Sequence, residues 1–352
     1  MRYVELKDVC KINMGQSPDS KSYNENGNGI PFFQGNADFG DRYPVTRVWC
    51  NSPTKIAESG DILISVRAPI GALNYADKKC CIGRGLAALT PDKTKVSSEF
   101  IFWLLKGKNA ELNNQGTGST FKAISKKVIE ETKVPNIPLE KQYEISNTLE
   151  KIYSIIQFRQ IQLTKLDELI KARFVELFGE CKNRISMADL CSIITDGTHQ
   201  PPKFQLTGIP FILVSNLSEN KVTYNTEKYI SEETYEALYK RTPIEKGDIL
   251  LSTVGSYGHP AVVVEDTKFL FQRHIAYLKP KSELINSIYL HSAILSPDIQ
   301  KQIEERVKGI AQKTLNLSEI RKIAVPVPNM ELQTQFATFV QQIDKSKFIP
   351  QR

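Results

Sequence analysis

The feature that most narrows what this chain can fold into is that it repeats itself once. Gly60-Asp61-Ile62-Leu63 recurs as Gly247-Asp248-Ile249-Leu250, and Gly29-Ile30-Pro31-Phe32 recurs as Gly208-Ile209-Pro210-Phe211. Residues 84–91 (RGLAALTP) match 273–280 (RHIAYLKP). Val134-Pro135, followed by Glu140 and Gln142, matches Val325-Pro326, followed by Glu331 and Gln333. The matches keep their order while the offset drifts from 179 to 191, as loops gain or lose residues. A period this long, in only two copies, excludes a solenoid. It predicts one domain duplicated, each copy doing a similar but not identical task.

Length agrees, since 352 residues suit two domains plus connecting elements. A hydrophobic share of 41% and a charged share of 24% describe an ordinary globular chain. No secretory signal follows Met1, and no apolar run approaches the ~20 residues of a membrane helix, so a cytoplasmic protein is expected. The six cysteines show no CxxC spacing and do not cluster with the four histidines, which predicts reduced thiols and no metal site. A net charge of +7 permits a polyanionic partner without requiring one.

In each copy, the first ~135 residues read as short strands punctuated by Gly, Pro and Asn, with strands expected at 61–66 and 261–265. Apolar residues at helical spacing predict short helices over 98–105, 287–295 and 299–307. The fold class is therefore α+β, as two mixed domains separated by long helices. The segment Leu139–Phe178 carries no Gly or Pro, and its apolar residues Ile145, Leu149, Ile152, Ile156, Leu163, Leu166, Ile170 and Leu177 follow a 4–3 spacing broken at Arg159 and Arg173. That pattern predicts a coiled-coil-like helix about 60 Å long, ended by Gly179. The second copy begins the same helix, with Phe336, Val340 and Ile343 at the positions of Ile145, Leu149 and Ile152, and reaches Pro350 much sooner. The two seams are expected to bury each other as an antiparallel pair across a pseudo-twofold axis. The alternative is that each helix packs on its own domain. On the pairing reading, the stretch 163–177 is left without an internal partner.

With these elements in order, the chain resembles the specificity subunit of type I restriction-modification enzymes. The resemblance rests on the paired GDIL turns, followed by Ser65-Val66-Arg67-Ala68-Pro69-Ile70-Gly71 and Ser252-Thr253-Val254-Gly255-Ser256-Tyr257-Gly258. It rests also on the loop 116–122 matched to 309–315, on Asp196-Gly197-Thr198-His199, and on Leu177-Phe178-Gly179 at the helix end. It implies target-recognition domains at 1–137 and 181–328, a central helical spacer at 138–180 and a short distal helical region at 329–352. Each recognition domain would read one half of a bipartite site in double-stranded DNA. The chain itself would hold no cofactor and do no chemistry. Two methyltransferase subunits using S-adenosylmethionine, and two restriction subunits using ATP and Mg, would be its partners, with self-association through the unpaired helix segment as a further expectation. The distal helix is shorter than the family pattern implies.

Base reading needs paired donors and acceptors at a groove. Gln34 and Asn36 follow a predicted strand, and Ser215 and Asn216 occupy the matching place; Asn and Gln are also ordinary turn formers. Arg67, Arg84 and Arg273 lie just beyond strands and suit a phosphate or a guanine edge, or equally an internal ion pair. Arg67 is placed opposite Gly255, and Gly83 opposite Gln272. The loop carrying Thr117, Ser119, Thr120 and Lys122 offers N–H groups, hydroxyls and charge to a phosphate, with Gln312 and Lys313 as counterparts; it lacks P-loop spacing and also reads as a plain connector. Ser256, Tyr257 and His259 form a Gly-flanked turn able to reach a groove, although a lone histidine is more often structural.

Catalysis by the chain itself is not expected. The one Pro-Pro, Pro201-Pro202, follows Gln200, unlike the Asn/Asp-Pro-Pro-aromatic loop of adenine methyltransferases. Pro297-Asp298 with Glu304, Glu305 and Arg306 imitates a nuclease motif but alternates with Ile299, Ile303 and Val307, as on a solvated helix face. The rival reading is a free-standing DNA-binding regulator.

Overall fold

A computed structural model describes residues 2–118, 122–217, 220–309 and 313–348. The chain divides into two compact units, Met1–Phe158 and Arg159–Arg352. The helix Leu139–Phe178 runs unbroken over the predicted span and gives its first half to one unit and its second half to the other.

The first unit is built on an antiparallel sheet in the order Cys10–Met14, Leu86–Pro91, Ile62–Ser65, Leu73–Tyr75. Gly60 explains the GDIL turn: at φ +91° it takes a backbone conformation that L side chains rarely adopt. The buried Asp61 carboxylate then accepts the Glu58 N–H at 2.9 Å, and Ile62–Ser65 enters the sheet buried on both faces. The helix Ser98–Gly107, capped by the Ser97 hydroxyl, covers one face of this sheet through Ile101 and Leu105. On the other side, Leu63, Ala88 and Phe33 join it to a five-stranded sheet in which Ile30–Phe33 runs parallel to Cys80–Ile82.

The second unit follows the same plan. Its sheet order is Cys191–Asp196, Ile275–Pro280, Ile249–Ser252, Pro260–Val262, with Gly247 at φ +95° and Asp248 accepting the Glu245 N–H at 2.8 Å. Helix Ser287–Ile294 takes the place of Ser98–Gly107. A three-stranded sheet pairs Ile209–Ile212 in parallel with Leu270–Phe271. Where the first unit has the short strand Ile56–Ala57, the second has the helix Glu232–Tyr239. No helix among the described residues is long and apolar enough to cross a membrane.

A buried glutamine joins each long helix to its sheet unit. Gln142 accepts the Ser97 N–H at 2.9 Å and donates to the carbonyls of Lys95 and Ile137. Gln333 accepts the Asn286 N–H at 2.9 Å and donates to those of Leu284 and Pro328. In the first unit a second tether lies further along the helix. The Arg42 guanidinium pairs with Glu150 inside rings of Phe102, Trp103 and Tyr153, 4.7, 5.2 and 5.1 Å from their centroids.

The expected seam is corrected at several positions. Ile145 is half-buried on the first unit's core, but Leu149, Ile152 and Ile156 are exposed, Ile156 by 58%. The terminal helix Met330–Phe348 lies instead against the second half of the long helix, inside the second unit. Phe336 and Val340 are buried with Phe174 and Phe178, and the Phe174–Phe336 and Phe178–Phe336 ring centroids are both 5.5 Å apart. Lys347 reaches Asp167 at 2.7 Å and its carbonyl accepts from Arg159, so the two segments run antiparallel. Leu163, Leu166, Ile170 and Ile343 are half-buried, Ile170 against the same core. The stretch expected to lack an internal partner therefore has one. Two aromatic residues outside the 4–3 register carry the contact, because they add far more buried area per position than the aliphatic seam.

His291 stands at the fifth position of its helix, as Phe102 does in the first unit. Burial holds the imidazole below its usual pKa, and its Nε2 lies 3.2 Å from the Asn220 carbonyl oxygen. The unfolded chain therefore binds this proton first. Stability is expected to be full above about pH 6.5 and to fall as pH drops below it. Thermal melts between pH 8 and 5 should show that loss, and His291→Phe should flatten it.

Candidate nucleic-acid interface

In the first unit, backbone hydrogen bonds gather several strand ends at one edge. Gly85 N–H donates to the Gln34 carbonyl at 3.1 Å, Val66 N–H to Gly85 at 2.9 Å, and Ile124 N–H to Val66 at 2.9 Å. Thr117 and Ala123 exchange two bonds, of 3.0 and 2.9 Å, that close the loop between them, and Ala68 N–H donates to the Lys122 carbonyl. Gln34, Arg67, Arg84, Thr117 and Lys122 are all exposed along this edge. Arg84 is further fixed by its N–H, 3.3 Å from the Ser17 hydroxyl. Ser119 and Thr120 lie outside the described residues.

The second unit closes its loop identically. Lys308 and Thr314 exchange bonds of 3.0 and 2.8 Å, Gly255 N–H donates to Lys313, and Leu315 N–H to Thr253. This register corrects the one inferred from sequence. Gly309, at φ +106°, stands opposite Gly118, at φ +119°, rather than Gly116, and Arg67 stands opposite Val254 rather than Gly255. Lys313 remains the counterpart of Lys122 and is exposed; Gln312 lies outside the described residues.

Two predicted residues are diverted to structural work. Asn216 is buried: its Oδ1 accepts the Leu213 N–H at 3.0 Å, and its Nδ2 donates to the carbonyls of Thr223 and Asn225. Asp38 caps the matching turn in the first unit, taking the N–H groups of Gln34 and Gly35, and Asn36 is half-buried as the first residue of that turn. Tyr257 packs on the second unit's main core. Ser215, Ser256, His259 and Arg273 are exposed.

Beside Arg273 the second unit forms a polar cleft of about 290 Å³ whose walls include Asp196, Thr253, His274 and Thr314. Asp196 also holds two further groups. The Arg241 Nη2 donates to Oδ1 at 2.9 Å, and the His199 Nε2 lies 2.8 Å from Oδ2. Arg273 Nε is 3.4 Å from His274 Nε2. Sequence reasoning flagged Asp196 and His199 only as part of a motif, and it missed His274 and Arg241. Arg241 follows a helix that the first copy lacks, so no repeat match could point to it. The arrangement offers cationic and hydroxyl donors to an anion or a base edge. Among the described residues no three His, Cys, Asp or Glu side chains come together as a metal site.

Comparison with known proteins adds four findings. A family model described as the type I restriction modification DNA specificity domain matches residues 1–168 and 185–351. The chain is 44% identical over 170 residues to the "Putative type I restriction enzyme MjaX specificity subunit" of Methanocaldococcus jannaschii, a match covering 48% of this chain and 40% of that one. It is 22% identical to the type I restriction enzyme EcoBI specificity subunit of Escherichia coli over 97% of this chain and 78% of the other. A crystal structure of a type I restriction-modification system S subunit from M. genitalium shares the fold, with a TM-score of 0.56 at 16% identity over 98% of this chain and 90% of that one.

Removing the Asn216 amide strands the Leu213 N–H and two carbonyls. Asn216→Ala is therefore expected to cost about 1–3 kcal/mol in urea unfolding, against roughly nothing for Gln34→Ala. Equal costs would show that Asn216 is not the structural residue of the pair.

Proposed function

Because the chain belongs to the type I restriction modification DNA specificity family, we propose that it is the DNA-reading subunit of a methyltransferase and restriction complex. Each unit reads one half of a bipartite, asymmetric site. The two units are copies of one ancestral domain, and the long helices act as a spacer between recognition domains at 1–137 and 181–328. The chain itself carries out no reaction; methyltransferase subunits bring S-adenosylmethionine, and restriction subunits bring ATP and Mg.

The observation that carries this reading is the recurrence, in both units, of the same closed loop beside the same strand ends, displaying different side chains. Arg67 is answered by Val254, and Gly85, one residue past the paired arginines Arg84 and Arg273, by His274. A common backbone with unlike displays suits two related readers of unlike half-sites. The loop lysines Lys122 and Lys313 hold phosphate, which positions each unit without specifying sequence. Spacer length sets the gap between halves: four added helical residues move one reader by about 6 Å, nearly two base pairs.

The exposed apolar face Leu149, Ile152, Ile155, Ile156 and Phe158 is where methyltransferase subunits dock.

The decisive experiment co-expresses the chain with a type I methyltransferase subunit and maps modified adenines genome-wide. Replacing residues 1–137 by those of another family member should change one half of the methylated motif only; changes in both halves would overturn the modular reading. Replacing Ile152 and Ile156 together with Asp should leave the melting temperature nearly unchanged, as both are exposed. The same variant should no longer co-purify with the methyltransferase subunit, and retention of the complex would show that the partner docks elsewhere.

A further inference from the structure

The second unit contains a device absent from the first. At the end of the strand Cys191–Asp196, the carboxylate of Asp196, which lines a cleft together with Arg273 and His274, holds Arg241 and His199. Arg241 is 54% and His199 52% exposed at the side chain, whereas Asp196 is 19% exposed. The carboxylate is thus the less exposed partner, and both side chains that it holds stay largely in solvent. In the first unit Met14 holds the corresponding register, paired with Ala87 as Asp196 is paired with Ala276. The helix Glu232–Tyr239, which delivers Arg241, is also missing there.

A guanidinium has five N–H donors in a planar fork. Asp196 takes one of those on Nη2 and leaves a pair free to meet the O6 and N7 acceptors of a guanine in the major groove. Anchoring has a second effect. A free arginine loses side-chain entropy when it docks, and an arginine already held in place loses less. A residue meant only to attract phosphate would gain nothing from a carboxylate that cancels its charge. A residue meant to present its fork in one orientation gains orientation at the expense of net charge.

We propose that Arg241, oriented by Asp196, is a specificity-determining residue that reads a guanine in the half-site of the second unit. Asp196 acts as its positioning residue. This rests on the reading of the chain as a DNA specificity subunit and goes beyond it by naming the base class and the residue.

The test uses the full chain in complex with a type I methyltransferase subunit, with methylated adenines mapped genome-wide. Arg241→Ala should make one G·C position of a single half-site degenerate, with discrimination at that position falling by roughly 5- to 150-fold and the other half-site intact. Asp196→Asn should relax the same position less. Arg241→Lys guards against a folding loss, because it keeps the charge and removes the fork; it should retain methylation and lose the guanine preference. An unchanged motif in Arg241→Ala overturns the proposal. So does a uniform loss of methylation with the motif preserved, the behaviour of a phosphate contact. A wild-type chain that directs no bipartite methylation at all overturns the specificity-subunit reading itself, and this proposal with it.

Discussion

In each unit one glutamine side chain, Gln142 or Gln333, makes three bonds to two backbone segments from a position 1% exposed. Every bond it makes goes to a main-chain group: the N–H at the start of the sheet-covering helix, a carbonyl before that helix, and a carbonyl just ahead of the long helix. A buried amide left unsatisfied costs far more than its bonds return, so the arrangement is close to all or nothing. The first turn of the long helix is thereby set against the sheet unit in one geometry. The short ladders Tyr3–Glu5 with Lys133–Pro135, and Arg184–Ser186 with Ala324–Pro326, bring the preceding strand to the same place. Whatever direction the helix takes from its unit is decided there, before any apolar seam contributes.

This explains which parts of the architecture were legible in the sequence. The span Leu139–Phe178 could be read because a long stretch without Gly or Pro, rich in strong helix formers, also carries apolar residues at helical spacing. The GDIL turns could be read because a glycine in a left-handed conformation followed by a capping aspartate is a local device, complete within four residues. Periodicity, by contrast, states that a helix has an apolar side and is silent about what covers it. The 4–3 spacing was real, yet Phe174 and Phe178 fall outside it and carry the contact with Phe336, while Ile152 and Ile156 fall inside it and face outward. The choice of partner belongs to tertiary structure, which a single helix does not encode.

The candidate interface divides the same way. The exposure of Arg84, Arg273, Lys122 and Lys313 could be read because they recur at matched places and because charged residues beyond a strand end stay in solvent. Asn216 stays open in the sequence between two uses, because its side-chain amide suits a base edge and a buried turn equally well. Only its three bonds to Leu213, Thr223 and Asn225 distinguish the two uses. Arg241 was invisible for the opposite reason. A repeat comparison finds what two copies share, and Arg241 follows a helix that only the second copy has at that place.

Differences between the two copies are tolerated because of the way the loops are closed. The bonds that seat Lys122 and Lys313 run through backbone N–H and carbonyl groups, so they survive almost any change of side chain nearby. Val254 can replace Arg67 and Asp196 can replace Met14 without disturbing the closure, whereas a Cβ at Gly85 would meet the Gln34 carbonyl oxygen at 2.3 Å. His291 in place of Phe102 shows that even a helix position against the sheet can change character, given a carbonyl such as that of Asn220 for the imidazole to meet. A scaffold held by main-chain bonds, with side chains left unconstrained at its rim, separates stability from recognition. A chain built of two such units can then alter what one unit displays while the strand ends, loops and helix starts of both stay as they are.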